Sequence, residues 1–256
     1  MHLSETAWPD ADTVDTDLAV LPVGSTEQHG PHAPLGTDHL TADAVANAGV
    51  DTYDGEVIVS PPLPVGIAEE HRHFTGTLWV SEDTFRAYVR ETVESLASHG
   101  WTRVVVVNGH GGNVAALREL CARLTRDGTA YAVPFTWFDA IEDDELDADS
   151  DIGMGHGGPV ETSLLRHVHP ELVDESRFEE AADGGADSWG EWQSGTNLAY
   201  DTADFSENGT VGDPGKSSEK LGEKLLTAAS EQLAALLSAV ETREWSRDRR
   251  DRPRED

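Results

Sequence analysis

The residues best suited to chemistry stand in three short, glycine-punctuated stretches. The first is Pro22-Val23-Gly24-Ser25-Thr26-Glu27-Gln28-His29-Gly30-Pro31-His32, followed by Leu35-Gly36-Thr37-Asp38. Glu27 and His29 are two residues apart, so in extended backbone their side chains share one side while Gln28 points to the other. A carboxylate oxygen and an imidazole nitrogen converging in this way suit a divalent transition metal such as Zn²⁺, Mn²⁺ or Fe²⁺. Asp38, just before an expected helix, adds a second carboxylate. The plain alternative is that Asp38 or Thr37 only caps that helix and that His29 and His32 are loop residues, since Glu-x-His is common by chance.

The second stretch is Asn108-Gly109-His110-Gly111-Gly112-Asn113. Glycines on both sides of His110 let the backbone turn sharply and carry the imidazole into a cleft, where it becomes a fourth nitrogen or oxygen ligand candidate. The glycine spacing is not the dinucleotide fingerprint, and the plain alternative is a structural turn. In the third, Gly155-His156-Gly157-Gly158-Pro159-Val160-Glu161-Thr162-Ser163, His156 lies five residues before Glu161. Either residue is a candidate ligand or proton-transfer group; against that, Thr162 and Ser163 are candidate helix caps. Glu70-His71 is a weaker pair of the same kind, for which a loop role is favoured. His2, His39, His73, His99, His167 and His169 take no functional role. Gly212-Asp213-Pro214-Gly215-Lys216-Ser217 ends like a phosphate loop, but that motif requires glycine where Thr210 stands.

Short β-branched runs alternating with amphipathic stretches must position these residues. Leu18 to Val23, Val57 to Val59, Arg103 to Asn108 and Tyr131 to Phe135 read as strands; Leu40 to Val50, Glu82 to Ser98, Val114 to Arg126, Glu161 to His167 and Ser217 to Val240 read as helices. This alternation predicts an α/β fold: a three-layer αβα sandwich with a mainly parallel sheet, in which Glu27, His29 and His110 follow strands at the carboxyl edge where such sheets place ligands. One domain over 1–242 and a charged, disordered tail over 243–256 are expected. Asp139 to Asp151, with eight acids in thirteen residues, reads as a solvated loop or a lid. Asp183 to Gly215 reads as a loop whose Trp189 and Trp192 are candidates, with Trp137, to touch a ligand.

Composition bounds the function. The chain has 256 residues with 49 acidic against 18 basic side chains, a formal net charge of −31. Such a surface repels phosphates, which argues against nucleic-acid and anionic-membrane partners. Only Lys216, Lys220 and Lys224 are lysines; dense carboxylate with so little lysine predicts adaptation to molar salt, where the Debye length falls to about 3 Å. Cys121, the single cysteine, falls in an apolar-periodic stretch and reads as a buried helix residue in a reducing compartment. With no run near the roughly 18 apolar residues of a membrane span and no signal-peptide layout, a cytoplasmic location is expected.

From Leu18 to Leu226 the chain resembles the creatininase (creatinine amidohydrolase) family. The segments that carry the resemblance are Pro22 to His32, Gly36-Thr37-Asp38, Glu70-His71 with Phe74-Thr75-Gly76-Thr77, Asn108 to Asn113, Glu161-Thr162-Ser163 and Gly212-Asp213-Pro214. The resemblance implies a metal-dependent amidohydrolase with one or two divalent ions (Zn, Mn or Fe) and a homo-oligomer, commonly a hexamer. Glu27, His29, Asp38 and His110 fall on its metal-ligand positions, with Asp38 bridging, and His156 on its proton-transfer position. Creatininase proper has a glutamate ligand where this chain has Gly112, so Glu161 is the substitute candidate; a one-metal site is the alternative. Pro159 also stands where a family acid is found. The expected activity is hydrolysis of an amide, cyclic amide or formamide C–N bond of a small molecule. Two narrower readings are a deformylase of a formylamino-pyrimidine ribotide in archaeal riboflavin and deazaflavin synthesis, with Arg72 or Arg166 as phosphate partner, and a precursor-peptide peptidase. A non-catalytic metal-binding scaffold is the alternative of another class.

Overall fold

The computed structural model describes residues 1–141 and 152–245. Four parallel strands form the central sheet: β1 Leu18–Val23, β2 Ile58–Val59, β3 Arg103–Asn108 and β4 Tyr131–Thr136, in the spatial order β2-β1-β3-β4. The helices are α1 Trp8–Ala11, α2 Thr37–Thr52, α3 Glu82–Ser98, α4 Val114–Asp127, α5 Pro159–Val168, α6 Phe178–Asp183 and α7 Glu219–Thr242. A separate antiparallel pair joins β5 Trp192–Gln193 to β6 Thr196–Asn197.

Period-two alternation in the strands splits the core into two layers. Ala19, Leu21, Val23, Val104 and Val106 pack against Phe85, Val89 and Val93 of α3 and Leu117, Leu120 and Leu124 of α4. Leu18, Val20, Val105 and Val107 face the other way, onto Val45 of α2, Leu164 of α5 and Leu225, Leu233 and Leu237 of α7. With both faces covered, β1 and β3 read as nearly continuous apolar runs. The three-layer αβα sandwich with a parallel sheet is therefore the observed fold.

The differences from the sequence reading lie mostly at element ends. Helix α2 begins at Thr37 rather than Leu40, which places Asp38 in its first turn; its N-cap, Gly36, makes no side-chain capping bond. Helix α5 begins at Pro159, and neither Thr162 nor Ser163 caps it. Helix α7 begins at Glu219, where the hydroxyl of Ser218 accepts from the Leu221 amide. The short α1, α6 and β5–β6 pair have too few residues for a periodic signal. Cys121 is buried in α4. Pro214–Lys216, the phosphate-loop look-alike, is one 3-10 turn whose Gly215 amide donates to Asp213. Most of the acidic 139–151 stretch and of the 243–256 tail lies outside the described residues. Among the described residues no helix is long and apolar enough to cross a membrane.

Candidate metal centre

In-register pairing brings Val23, Asn108 and Thr136 level at one edge of the sheet. Two glycines then let the first turn of α2 press against that edge. A Cβ on Gly24 would lie 2.4 Å from the His39 amide nitrogen, and one on Gly109 would lie 2.1 Å from the Asp38 carbonyl oxygen. Asp38 is thereby carried to the loops after β1 and β3. Asn108 and Asn113 pin those loops. Asn108 accepts from the His110 amide and donates to the His110 carbonyl; Asn113 donates to the Gly24 carbonyl and accepts from the Ile67 amide.

Six residues singled out from the sequence meet in this pocket. Asp38 Oδ1 is 2.9 Å from His29 Nε2, and Asp38 Oδ2 is 3.1 Å from His110 Nδ1. Glu27 Oε1 is 3.2 Å from His110 Nδ1 and 3.8 Å from His156 Nδ1. Glu161 Oε2 accepts from the Gly157 amide at 2.7 Å and lies 3.9 Å from His29 Nε2. All six are buried. Their ligand atoms form the triplets Glu27–Asp38–His110 and His29–Asp38–Glu161, with Asp38 common to both, and a third, Glu27–His29–His156; within each triplet the atoms lie within 4.8 Å of one another.

Two observations test whether these residues fit a cation. Both Glu27 oxygens, His29 Nε2 and Asp38 Oδ2 are buried without a hydrogen-bond partner in acceptable geometry, an arrangement that is costly unless a positive charge sits among them. Three imidazoles also turn an unprotonated nitrogen inward, because the other nitrogen donates to a backbone carbonyl: His29 Nδ1 to Glu27, His110 Nε2 to Ile67 and His156 Nε2 to Gln28. That backing by a second acceptor is the usual state of a metal-binding histidine. The residues fit a divalent metal.

The electrostatics show tight charge coupling. Burial opposes the charge on His29, but Asp38, Glu161 and Glu27 outweigh it and push this histidine up to about 10. Burial likewise opposes charge on His110, which Glu27 and Asp38 raise well above the usual range. Burial, only partly countered by His29, pushes Glu161 up to about 7. His156 is driven well below the usual range by burial and then by His29 and His71.

His71, read from the sequence as a loop residue, belongs to this pocket. It is buried, lies 3.5 Å through Nε2 from Glu27 Oε1, and stacks on His156 with ring centroids 4.3 Å apart. Burial, with His110 and His29, lowers it to about 3. Its only sequence signal is the Glu70-His71 pair in a 3-10 turn. His32 stands outside the centre, with Nε2 2.9 Å from the Thr162 hydroxyl.

The centre opens into a cavity of about 960 Å³ whose walls include Glu70, Phe138, Met154, Trp189 and Lys216. Trp189 packs edge-on against both His71 and His156. Trp137 is buried in the core and Trp192 is exposed, and neither lines the cavity. Arg72 and Arg166 also lie off its walls: Arg72 pairs with Asp201, and Arg166 pairs with Glu175 and donates to the Ser217 carbonyl.

Known proteins share this arrangement of sequence. A family model described as "Creatininase: Creatinine amidohydrolase" matches residues 4–237. The chain is 40% identical over 165 residues to a protein of Mycolicibacterium smegmatis named "Mycofactocin precursor peptide peptidase", covering 62% of this chain and 61% of that relative. It is 31% identical over 179 residues to the "Creatinine amidohydrolase" of Pseudomonas putida, covering 62% of this chain and 67% of that one. The solved structure "Creatininase Mn" superposes with a TM-score of 0.79 at 25% identity, covering 94% of this chain and 99% of that one.

Proposed function

Because the chain belongs to the creatininase (creatinine amidohydrolase) family, we propose that it is a metal-dependent hydrolase that cleaves an amide C–N bond with water. The observation that carries this reading is the sharing of Asp38 between two buried ligand triplets. Glu27, Asp38 and His110 hold one divalent ion and His29, Asp38 and Glu161 a second, so Glu161 supplies the carboxylate that Gly112 lacks. When bound, the metal supplies Lewis acidity, which polarises the amide carbonyl and lowers the pKa of water to about 7.

The proton work falls to His156. Its Nε2–H donates to the Gln28 carbonyl at 2.5 Å, which leaves the Nδ1 lone pair facing Glu27. Nδ1 takes the proton as the water oxygen bonds to the carbonyl carbon, then returns it to the amide nitrogen as the C–N bond breaks, so the products are a carboxylic acid and an amine. Glu161, with its carboxyl raised to about 7 by burial, is a second group able to hold a proton near neutral pH.

A peptide-like substrate is favoured. The M. smegmatis relative is named a peptidase, and a cavity of about 960 Å³ walled by Phe138, Met154 and Trp189 has apolar room for more than a small ring. A small cyclic amide is the second reading, supported by the P. putida relative's name. The phosphate-bearing ribotide has weaker support, since Arg72 and Arg166 are ion-paired away from the cavity. The test is turnover of short peptides, creatinine and formamides by metal-loaded protein in molar KCl. Hydrolysis that stops on chelation supports the reading; hydrolysis unchanged by chelation, or none of any amide, overturns it.

A further inference from the structure

His71 differs from the other three histidines of the pocket in which of its nitrogens carries the proton. Gln28 decides this. Its side-chain oxygen accepts from the Gly30 amide at 2.9 Å, and its side-chain nitrogen donates to the Gly209 carbonyl at 3.1 Å. A flipped amide would set nitrogen against the Gly30 N–H and oxygen against the Gly209 carbonyl, so the network admits one orientation. The same side-chain nitrogen lies 2.7 Å from His71 Nδ1, which must therefore accept. The Thr202 hydroxyl lies 3.2 Å from that nitrogen as well. A neutral imidazole that accepts at Nδ1 carries its proton at Nε2, and His71 Nε2 faces the centre, 3.5 Å from Glu27 Oε1.

With its lone pair already engaged at Nδ1, His71 has none to offer a metal at Nε2. We propose that His71 is a catalytic hydrogen-bond donor: its Nε2–H donates to the carbonyl oxygen of the substrate as that oxygen gains charge on the way to the tetrahedral state, and Gln28 is the positioning residue that holds the tautomer. Gln28 thus sets opposite faces on two stacked imidazoles. Its backbone carbonyl takes the Nε2–H of His156 and leaves a lone pair inward, while its side chain fills the Nδ1 lone pair of His71 and leaves an N–H inward. Acceptor and donor lie side by side, with ring centroids 4.3 Å apart. This inference rests on the amide-hydrolase reading.

The test pairs a spectrum with kinetics on full-length, zinc-loaded protein in molar KCl. Long-range ¹H–¹⁵N spectra of ¹⁵N-histidine protein are expected to show His71 with a bare Nδ1 and a protonated Nε2 in wild type, and to lose that single pattern in Gln28→Met. A protonated Nδ1 in wild type overturns the proposal without any variant. His71→Phe is expected to lose about 10²- to 10³-fold in kcat, the usual cost of one such donor, with KM and zinc content close to wild type; His71→Gln, which restores an N–H at the Nε2 position, is expected to regain part of the loss. Wild-type kcat in His71→Phe, or loss of its zinc, overturns the donor role. Failure of the underlying reading is distinguishable, because wild type itself would then turn over no amide.

Discussion

Asp38 Oδ1 lies 2.9 Å from His29 Nε2, although one residue is in the first turn of α2 and the other in the loop after β1. The contact exists because Gly24 and Gly109 leave no side chain between the sheet edge and that turn. Since Asp38 also belongs to the triplet with Glu27 and His110, its loss acts on both ion sites at once. Asp38→Ala is expected to lose two ions per chain, His29→Ala and His110→Ala one each. Elemental analysis of the three variants checks this; equal losses would contradict the shared carboxylate.

The glycines of the Asn108–Asn113 motif are expected to differ sharply. A Cβ on Gly109 would lie 2.1 Å from the Asp38 carbonyl oxygen and one on Gly112 would lie 2.3 Å from the Ile67 carbonyl oxygen, whereas one on Gly111 meets nothing within 4 Å. Gly109→Ala and Gly112→Ala should each cost about 1–3 kcal/mol, as overpacking does, and Gly111→Ala close to nothing. Denaturant midpoints of the three variants decide it.

Cys121 gives a pH prediction. Burial pushes its thiol up to about 12 from an ordinary value of 9.0. The unfolded chain therefore releases this proton first, and the stability that depends on it is complete below pH 9.0 and declines as pH rises towards about 12. Alkylation of the folded protein by iodoacetamide is expected to be negligible at pH 8 and rapid in denaturant. Prompt labelling of the native protein would contradict the buried placement.

The net charge of −31 predicts a salt response. Self-repulsion is screened at molar KCl, where the Debye length is about 3 Å, so the thermal midpoint should rise between dilute buffer and molar KCl. A flat or falling midpoint would rule out adaptation to salt.

Much of this molecule was legible in its sequence, for physical reasons that also mark the limits. Strands β1 and β3 and helix α3 announce themselves because burial imposes period on residues such as Val104 to Val107 and Phe85, Val89 and Val93. Glu27, His29, Asp38 and His110 stand in glycine-punctuated stretches at strand ends, where a parallel sheet gathers its ligands. His71 stayed hidden because its 3-10 turn has no period and its meaning lies in long-range contacts: Gln28 is 43 residues away, and the Gly209 carbonyl that orients Gln28 is 181 residues from it. Glu161 was nameable as a carboxylate, but its 3.9 Å approach to His29 follows from the packing of α5 and could not be read from spacing.

The most direct test of the central claim is stepwise reconstitution of chelator-stripped protein in molar KCl, with bound metal and peptide hydrolysis followed together. Two ions per chain, with hydrolysis absent at zero and complete at two, is the result expected from two triplets joined at Asp38. Saturation at one ion with full hydrolysis, or hydrolysis by the stripped protein, would contradict it.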